Sequence, residues 1–216
     1  IGRVASADSG TVSQDALDGT GLAINSISIR ATVLGDDSVS TTLRSSSAIA
    51  KAEAINDSSE FTGVTAYVNE TNREGTGNVV GGSLDESNYI KINDRIFTGF
   101  KVEAGDADES FINAINADLG VTGVIASRDQ NGQIKLSAAD GRNIDVQAVG
   151  NAAAVTGLQT SVTTANIRLV SDNQFQLTGT DEASVGFGDD AIVAVTAANS
   201  VQSLNVETRA GANNAL

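Results

Sequence analysis

The chain has 216 residues, with 27 acidic against 13 basic side chains and a formal net charge of −14. It contains no Cys, His, Trp, Met or Pro, so disulfides, thiol nucleophiles, imidazole bases and thiolate- or imidazole-held metals are excluded. The acidity argues against nucleic acid, which rewards a basic face, and against the anionic surface of a membrane leaflet. Hydrophobic residues make up 40% of the chain and aromatics only 4%. The core must therefore come from Val, Ile, Leu and Ala, which suits thin sheets faced by short helices. The apolar residues are periodic and the polar runs between them short, which indicates a folded chain rather than a disordered one. No apolar run reaches the roughly 18 residues that a membrane-crossing helix needs.

In chain order, Ile27, Ile29, Ala31 and Val33 alternate with polar residues and predict a half-buried strand. One of Ser45, Ser46 and Ser47 is placed to cap a helix running to about Asn56, with Ile49, Ala52 and Ile55 sharing a face. Thr62-Gly63 breaks that helix, and Val64, Ala66 and Val68 alternate as a strand. Gly75, Gly77, Gly81 and Gly82 form a Gly-rich stretch that no Lys-Ser/Thr follows, so it reads as a flexible connection rather than a phosphate loop. Val102 ends a strand, and Asp106 or Asp108 opens a helix carrying Phe111, Ile112 and Ile115. Gly123 breaks the chain again and Val124 to Arg128 is extended. Asn131-Gly132 predicts a type I′ hairpin turn, and Ile134, Leu136, Ile144 and Val146 mark two strands around an Asp140-Gly141 turn. Residues 151–158 suit one or two helical turns. Ile167 to Leu169, Phe175 to Thr178 and Ala191 to Val195 read as strands, with Gly186-Phe187-Gly188 as a loop. Thr208 reads as a helix cap just before the sequence stops, in keeping with a fragment.

An internal repeat organises these elements. Ala54-Ile55-Asn56 and Thr62-Gly63-Val64-Thr65-Ala66 recur at the same spacing as Ala114-Ile115-Asn116 and Thr122-Gly123-Val124-Ile125-Ala126. Upstream, Ile24-Asn25-Ser26-Ile27-Ser28-Ile29 is matched by Ile90-Lys91-Ile92-Asn93-Asp94-Arg95-Ile96. The expected fold class is therefore α+β and strand-rich: two copies of a strand–helix–strand–hairpin unit, with additional return strands.

Candidate chemistry is sparse. Acidic clusters at Asp36-Asp37, Asp106-Ala107-Asp108-Glu109, Asp181-Glu182 and Asp189-Asp190 raise the question of calcium, which needs six to eight converging oxygens. Neither the EF-hand spacing nor a tandem Gly-Gly-x-Gly-x-Asp pattern is present, and Asp106 and Asp108 suit a helix N-terminus, where carboxylates meet the helix dipole. A glycosidase needs no His, yet no acidic pair stands out and aromatic platforms are few. Asn56-Asp57-Ser58 and Asn69-Glu70-Thr71 match the N-glycosylation triplet, a pattern too short to carry weight. No catalytic, cofactor-binding or metal-ligating residue is assigned, and no cofactor is expected.

The segment from Ile92-Asn93 through Ala114-Ile115-Asn116, Thr122-Gly123-Val124, Asn131-Gly132 and Ala139-Asp140-Gly141-Arg142-Asn143-Ile144 resembles the repeat in the variable middle of bacterial flagellins. Ser203 to Ala215 resembles the place where flagellins return to their C-terminal helix. The resemblance implies the surface-exposed variable domain of a filament subunit: a structural protein of the extracellular flagellum, serving motility, and no enzyme. It also implies an inner subdomain from residues 1–87 and 159–200, an outer one from 88–158, and a return toward a missing helical core over 201–216. Partners would be other flagellin subunits, engaged through the missing helical termini. Nucleic acid and membrane are not expected, and the isolated chain should be monomeric, since no sustained apolar heptad appears. A hook-associated protein of the hook–filament junction shares the repeat and is the alternative, and a calcium-dependent adhesin is the rival from another class.

Overall fold

The computed structural model describes residues 4–195, and the expected helix cap at Thr208 lies outside them. The fold is strand-rich α+β. Strand β1 (Ala5–Thr11) leads into a tight hairpin of β2 (Leu22–Ile24) and β3 (Ile27–Ser28). Its turn residues Asn25 and Ser26 both have positive φ, 50° and 66°, as a type I′ turn requires. The strand expected through Val33 stops at Ser28. Val33 and Leu34 are exposed, and Leu34–Asp36 forms a 3-10 turn instead. Asp36 closes that turn by accepting from the Val33 N–H at 2.8 Å while pairing with Arg30.

Helix α1 (Ala48–Asn56) starts where Ser47 Oγ accepts from the Ala50 N–H at 3.1 Å, which satisfies one of the free first-turn donors. Ala52 and Ile55 are buried and Ile49 half-buried. The short α2 (Ser59–Thr62) ends on Gly63 in the left-handed region (φ 70°), and β4 (Thr65–Val68) follows.

The middle of the chain forms β5 (Thr71–Arg73), β6 (Gly82–Leu84), β7 (Tyr89–Ile92), β8 (Arg95–Phe97) and β9 (Phe100–Val102). It continues through α3 (Ser110–Ala117), α4 (Leu119–Thr122), β10 (Ile125–Arg128), β11 (Ile134–Ala138) and β12 (Ile144–Val149) to α5 (Ala152–Thr156) and β13 (Ser161–Thr163). The chain then returns through β14 (Asn166–Ser171), β15 (Phe175–Gly179) and β16 (Ile192–Val193). The sheets, all antiparallel, have the orders β1-β14-β4, β16-β15-β2-β3, β5-β11-β10, β13-β12-β7-β8 and β6-β9.

Two separate apolar clusters hold these sheets. One contains Ile24, Ile55, Val64, Ile167, Leu169 and Phe175, with α1 packed on β4. The other contains Ile92, Phe111, Ile115, Val124, Leu136 and Val146, with α3 packed on β10. Phe111 and Ile115 are fully buried, and burying each side chain contributes about 1.5–3 kcal/mol.

Two expectations need correction, at Asn131-Gly132 and in the Gly-rich stretch. Asn131-Gly132 is not a two-residue type I′ turn: of the two only Gly132 has positive φ, and the loop runs from Asp129 to Gln133. Asp129 Oδ1 accepts from the N–H groups of Asn131 and Gln133, and that local carboxylate cap sets the longer loop. The two strands expected around the Asp140-Gly141 turn are present, with the Gly141 N–H donating to the Ala138 carbonyl at 3.1 Å, and they join different sheets: β11 joins β10 and β5, whereas β12 joins β7 and β13. The Gly-rich stretch is packed rather than loose. The Val80 and Gly81 N–H groups donate to Ala154 and Val155, Val79 is buried, and a Cβ on Gly81 (φ 84°) would lie 2.7 Å from the Ala104 nitrogen.

The repeated Ala-Ile-Asn triplets have one physical explanation. Asn56 Nδ2 donates to the Ala66 carbonyl at 3.0 Å, and its Oδ1 accepts from the Ala66 N–H at 2.7 Å. Asn116 binds Ala126 with the same two distances. Each amide thus stands in for a neighbouring strand and ties the helix end to the strand that follows. We expect Asn56→Ala and Asn116→Ala each to destabilise the protein by about 2–3 kcal/mol, because each leaves a buried N–H and C=O unpaired. The two losses should add, since the sites sit in separate cores; urea denaturation of both single variants and the double variant measures this.

Candidate functional surface

The described residues carry few buried charges, and each one is committed to the fold. Lys51 of α1 is fully buried, and its Nζ donates to the carbonyls of Ser13 and Ser184, both at 2.7 Å. Burial pushes its ammonium down to about 8, against the opposing pull of Asp15 and Asp181. Sequence reading missed this residue, although a signal existed: aligning the triplets sets Lys51 against Phe111, a core position of the second copy. Arg73 of β5 is also buried and grips the strand leading out of the second core. It donates to the carbonyl and hydroxyl of Ser161 and to the Gln159 carbonyl.

The acidic clusters have comparable roles. Asp36 is held below the usual carboxylate range by its hydrogen bonds from Arg30. Asp37 is buried. Burial works to raise its carboxyl, but hydrogen bonds from Ser40 and the Val39 N–H outweigh it and leave the carboxyl lowered. Asp106, at positive φ, accepts from the Phe111 and Ile112 N–H groups at 3.0 and 3.1 Å and so caps α3 from outside the helix. Arg128 donates to the carbonyls of Gly105 and Asp106 and fixes this turn. Asp108 is exposed and accepts from the Ser110 N–H. Glu182 is buried, with its Oε1 accepting from the Asp190 N–H, while Asp189 and Asp190 are exposed. Among the described residues no group of three or more Asp or Glu side chains is arranged to hold a metal ion.

An open groove of about 650 Å³ runs past Glu74, Arg128, Asp129, Asn131 and Lys135. Glu74 pairs with Lys135 at 3.0 Å, and the Asp129 carboxylate is engaged by its own loop. Both carboxylates of the groove thus have partners. Of the two glycosylation-like triplets, Asn56 is taken up by its clamp and Asn69 donates to Asp8 at 3.0 Å.

The fold defines a strand-rich α+β repeat protein whose buried charged groups hold its own loops and helix ends. In sequence the chain is flagellin-like. It is 32% identical over 179 residues to flagellin B of Helicobacter pylori, which aligns 76% of this chain with 34% of that protein. It is 36% identical over 101 residues to flagellin A of Helicobacter mustelae, covering 45% of this chain and 19% of that protein. Flagellin A of Helicobacter pylori is 35% identical over 96 residues, 44% of this chain and 18% of the relative. The chain thus spans about a third or less of the length of these relatives. No family model matches it.

Two measurements follow from this geometry. An unfolded lysine keeps its proton to about 10.5, whereas folded Lys51 keeps it only to about 8. Between those values the unfolded state holds more protons, so stability attributable to Lys51 rises with pH; below pH 8 both states are protonated and the dependence is flat. Relative to Lys51→Met, the wild-type protein should gain up to about 3 kcal/mol between pH 8 and 10.5. Parallel denaturation curves for the two proteins across that range would contradict it. The melting temperature should also be the same in millimolar calcium and in chelator, and a rise of several degrees with calcium would reinstate a metal role for the acidic loops.

Proposed function

We propose that this chain is the surface-exposed variable domain of a flagellin, a structural and non-enzymatic component of the extracellular bacterial flagellar filament that serves motility. The observation that carries this is the similarity to flagellin B of Helicobacter pylori across 76% of the chain. The paired Ala-Ile-Asn and Thr-Gly-Val elements support it from within the sequence. The strong net charge of −14 suits a surface that faces solvent and stays apart from its neighbours.

In this reading the two apolar clusters correspond to an inner subdomain, built from both ends of the chain, and an outer one built from its middle. Partners are other flagellin subunits, reached through helical segments outside this sequence, and the chain by itself stays monomeric. Catalysis plays no part: the protein works by presenting a soluble acidic surface along a filament.

Immunogold electron microscopy of whole cells, with antibodies raised to this chain, tests the proposal. Gold along the full length of the filaments is the expected result. Gold confined to the hook–filament junction would replace the reading with a hook-associated protein, and bare filaments would overturn it altogether.

A further inference from the structure

The two copies of the repeat are related strand for strand. In the first copy β14 lies between β1 and β4, and in the second β11 lies between β5 and β10. The registers coincide: Leu169 faces Ala7 and Ala66, as Leu136 faces Arg73 and Ala126. The second sheets match as well, β16-β15-β2-β3 against β13-β12-β7-β8. Leu177 pairs with Ile24 as Val146 pairs with Ile92, and Gln176 faces Ile192 as Asp145 faces Val162. The hairpin asparagines are equivalent too. Asn25 donates its side-chain amide to the Thr62 carbonyl and Asn93 to that of Thr122, at 2.8 and 2.9 Å.

One joint differs. In the second copy β10 and β11 are joined directly, with the Asp129 N–H donating to the Gln133 carbonyl at 2.9 Å around Gln130-Asn131-Gly132. In the first copy the Asn69 N–H donates to the Asn166 carbonyl at 3.0 Å in the equivalent place, and the whole second copy stands between them. From this we infer that residues 70–165 are a self-contained module inserted into the tip of a β-hairpin of the first copy, and that each copy folds without the other.

The contacts across the splice agree with this. The Asn143 N–H donates to Ser40 Oγ, Asn143 Nδ2 donates to the carbonyls of Thr42 and Leu43, and Thr164 Oγ1 donates to the Val12 carbonyl. With the Val12 N–H on the Ala165 carbonyl at 3.2 Å and Gln14 Nε2 on that of Val162 at 3.0 Å, they are polar bonds, whereas the two apolar clusters share no residue and only Ala165, at the very end of the inserted segment, packs in the first. An ordinary hairpin tip is also the kind of site at which insertions are tolerated. The inference does not depend on the filament reading, because it concerns only how the chain is assembled.

Native-state amide exchange on the whole chain tests it first. Asn116→Ala should lower protection of amides in residues 70–165 and leave those of residues 4–69 and 166–195 at wild-type rates, with Asn56→Ala giving the converse. A uniform fall in protection in either variant would overturn the independence of the two copies. The second measurement replaces residues 70–165 by Gln-Asn-Gly, with Asn69→Asp to supply the loop cap. The shortened protein should unfold cooperatively in urea and keep protected amides at Ala66 and Gln176. A shortened chain without a cooperative transition would overturn the hairpin splice, even where the exchange data separate the copies.

Discussion

A side-chain amide presents an N–H donor beside a C=O acceptor, as a peptide unit does, so an asparagine can occupy a place in a β-ladder without belonging to a strand. Each copy of this fold depends on two such substitutions. One sits at the helix end, where Asn56 or Asn116 takes both bonds of an alanine in the next strand. The other sits at the hairpin tip, where Asn25 or Asn93 bonds the carbonyl of Thr62 or Thr122. Together they fix a helix of eight or nine residues, too short to persist alone, between two small sheets. The threonine completes the link, since Thr62 Oγ1 and Thr122 Oγ1 each accept from the N–H two residues on, at 3.1 Å.

What could be read in the sequence follows from that arrangement. The clamped positions recur as Asn and Thr-Gly at fixed spacing, so both helices and the strands after them were legible. The fold class was legible for the same reason. Errors arose where local alternation had no tertiary support: Ile27 to Val33 reads as a strand, yet Val33 and Leu34 face solvent and the Arg30–Asp36 pair turns the chain aside. The Gly-rich stretch misled in the opposite direction, because glycine signals close approach as readily as looseness. Strand pairing after Asp140 was not legible at all, since nothing in a strand's own sequence says which sheet it joins. The acidic clusters were legible as helix-end carboxylates at Asp106, but the burial of Asp37 and Glu182 was not, because a buried carboxylate is specified by the loops that fold over it.

Charge is divided sharply in this protein. The surface carries the net negative charge, with ion pairs such as Lys91–Asp94 and Arg95–Asp118 contributing little beyond local order. The interior admits a charged group only where polar groups of the backbone receive it, as the Ser13 and Ser184 carbonyls receive Lys51 and the Phe111 and Ile112 N–H groups receive Asp106.

The occupation of equivalent core sites by Lys51 and Phe111 has a consequence for folding. Two copies with the same strand registers in one chain invite exchange, in which a helix of one copy docks on the sheets of the other. Helix α1 placed in the second core would bury an ammonium away from its two carbonyls, and α3 placed in the first would leave those carbonyls without a donor. Both mismatches are costly in a dry interior. The lysine therefore acts as a key that fits one lock of the pair, and two neighbours of the same topology on a single chain remain distinguishable as they fold.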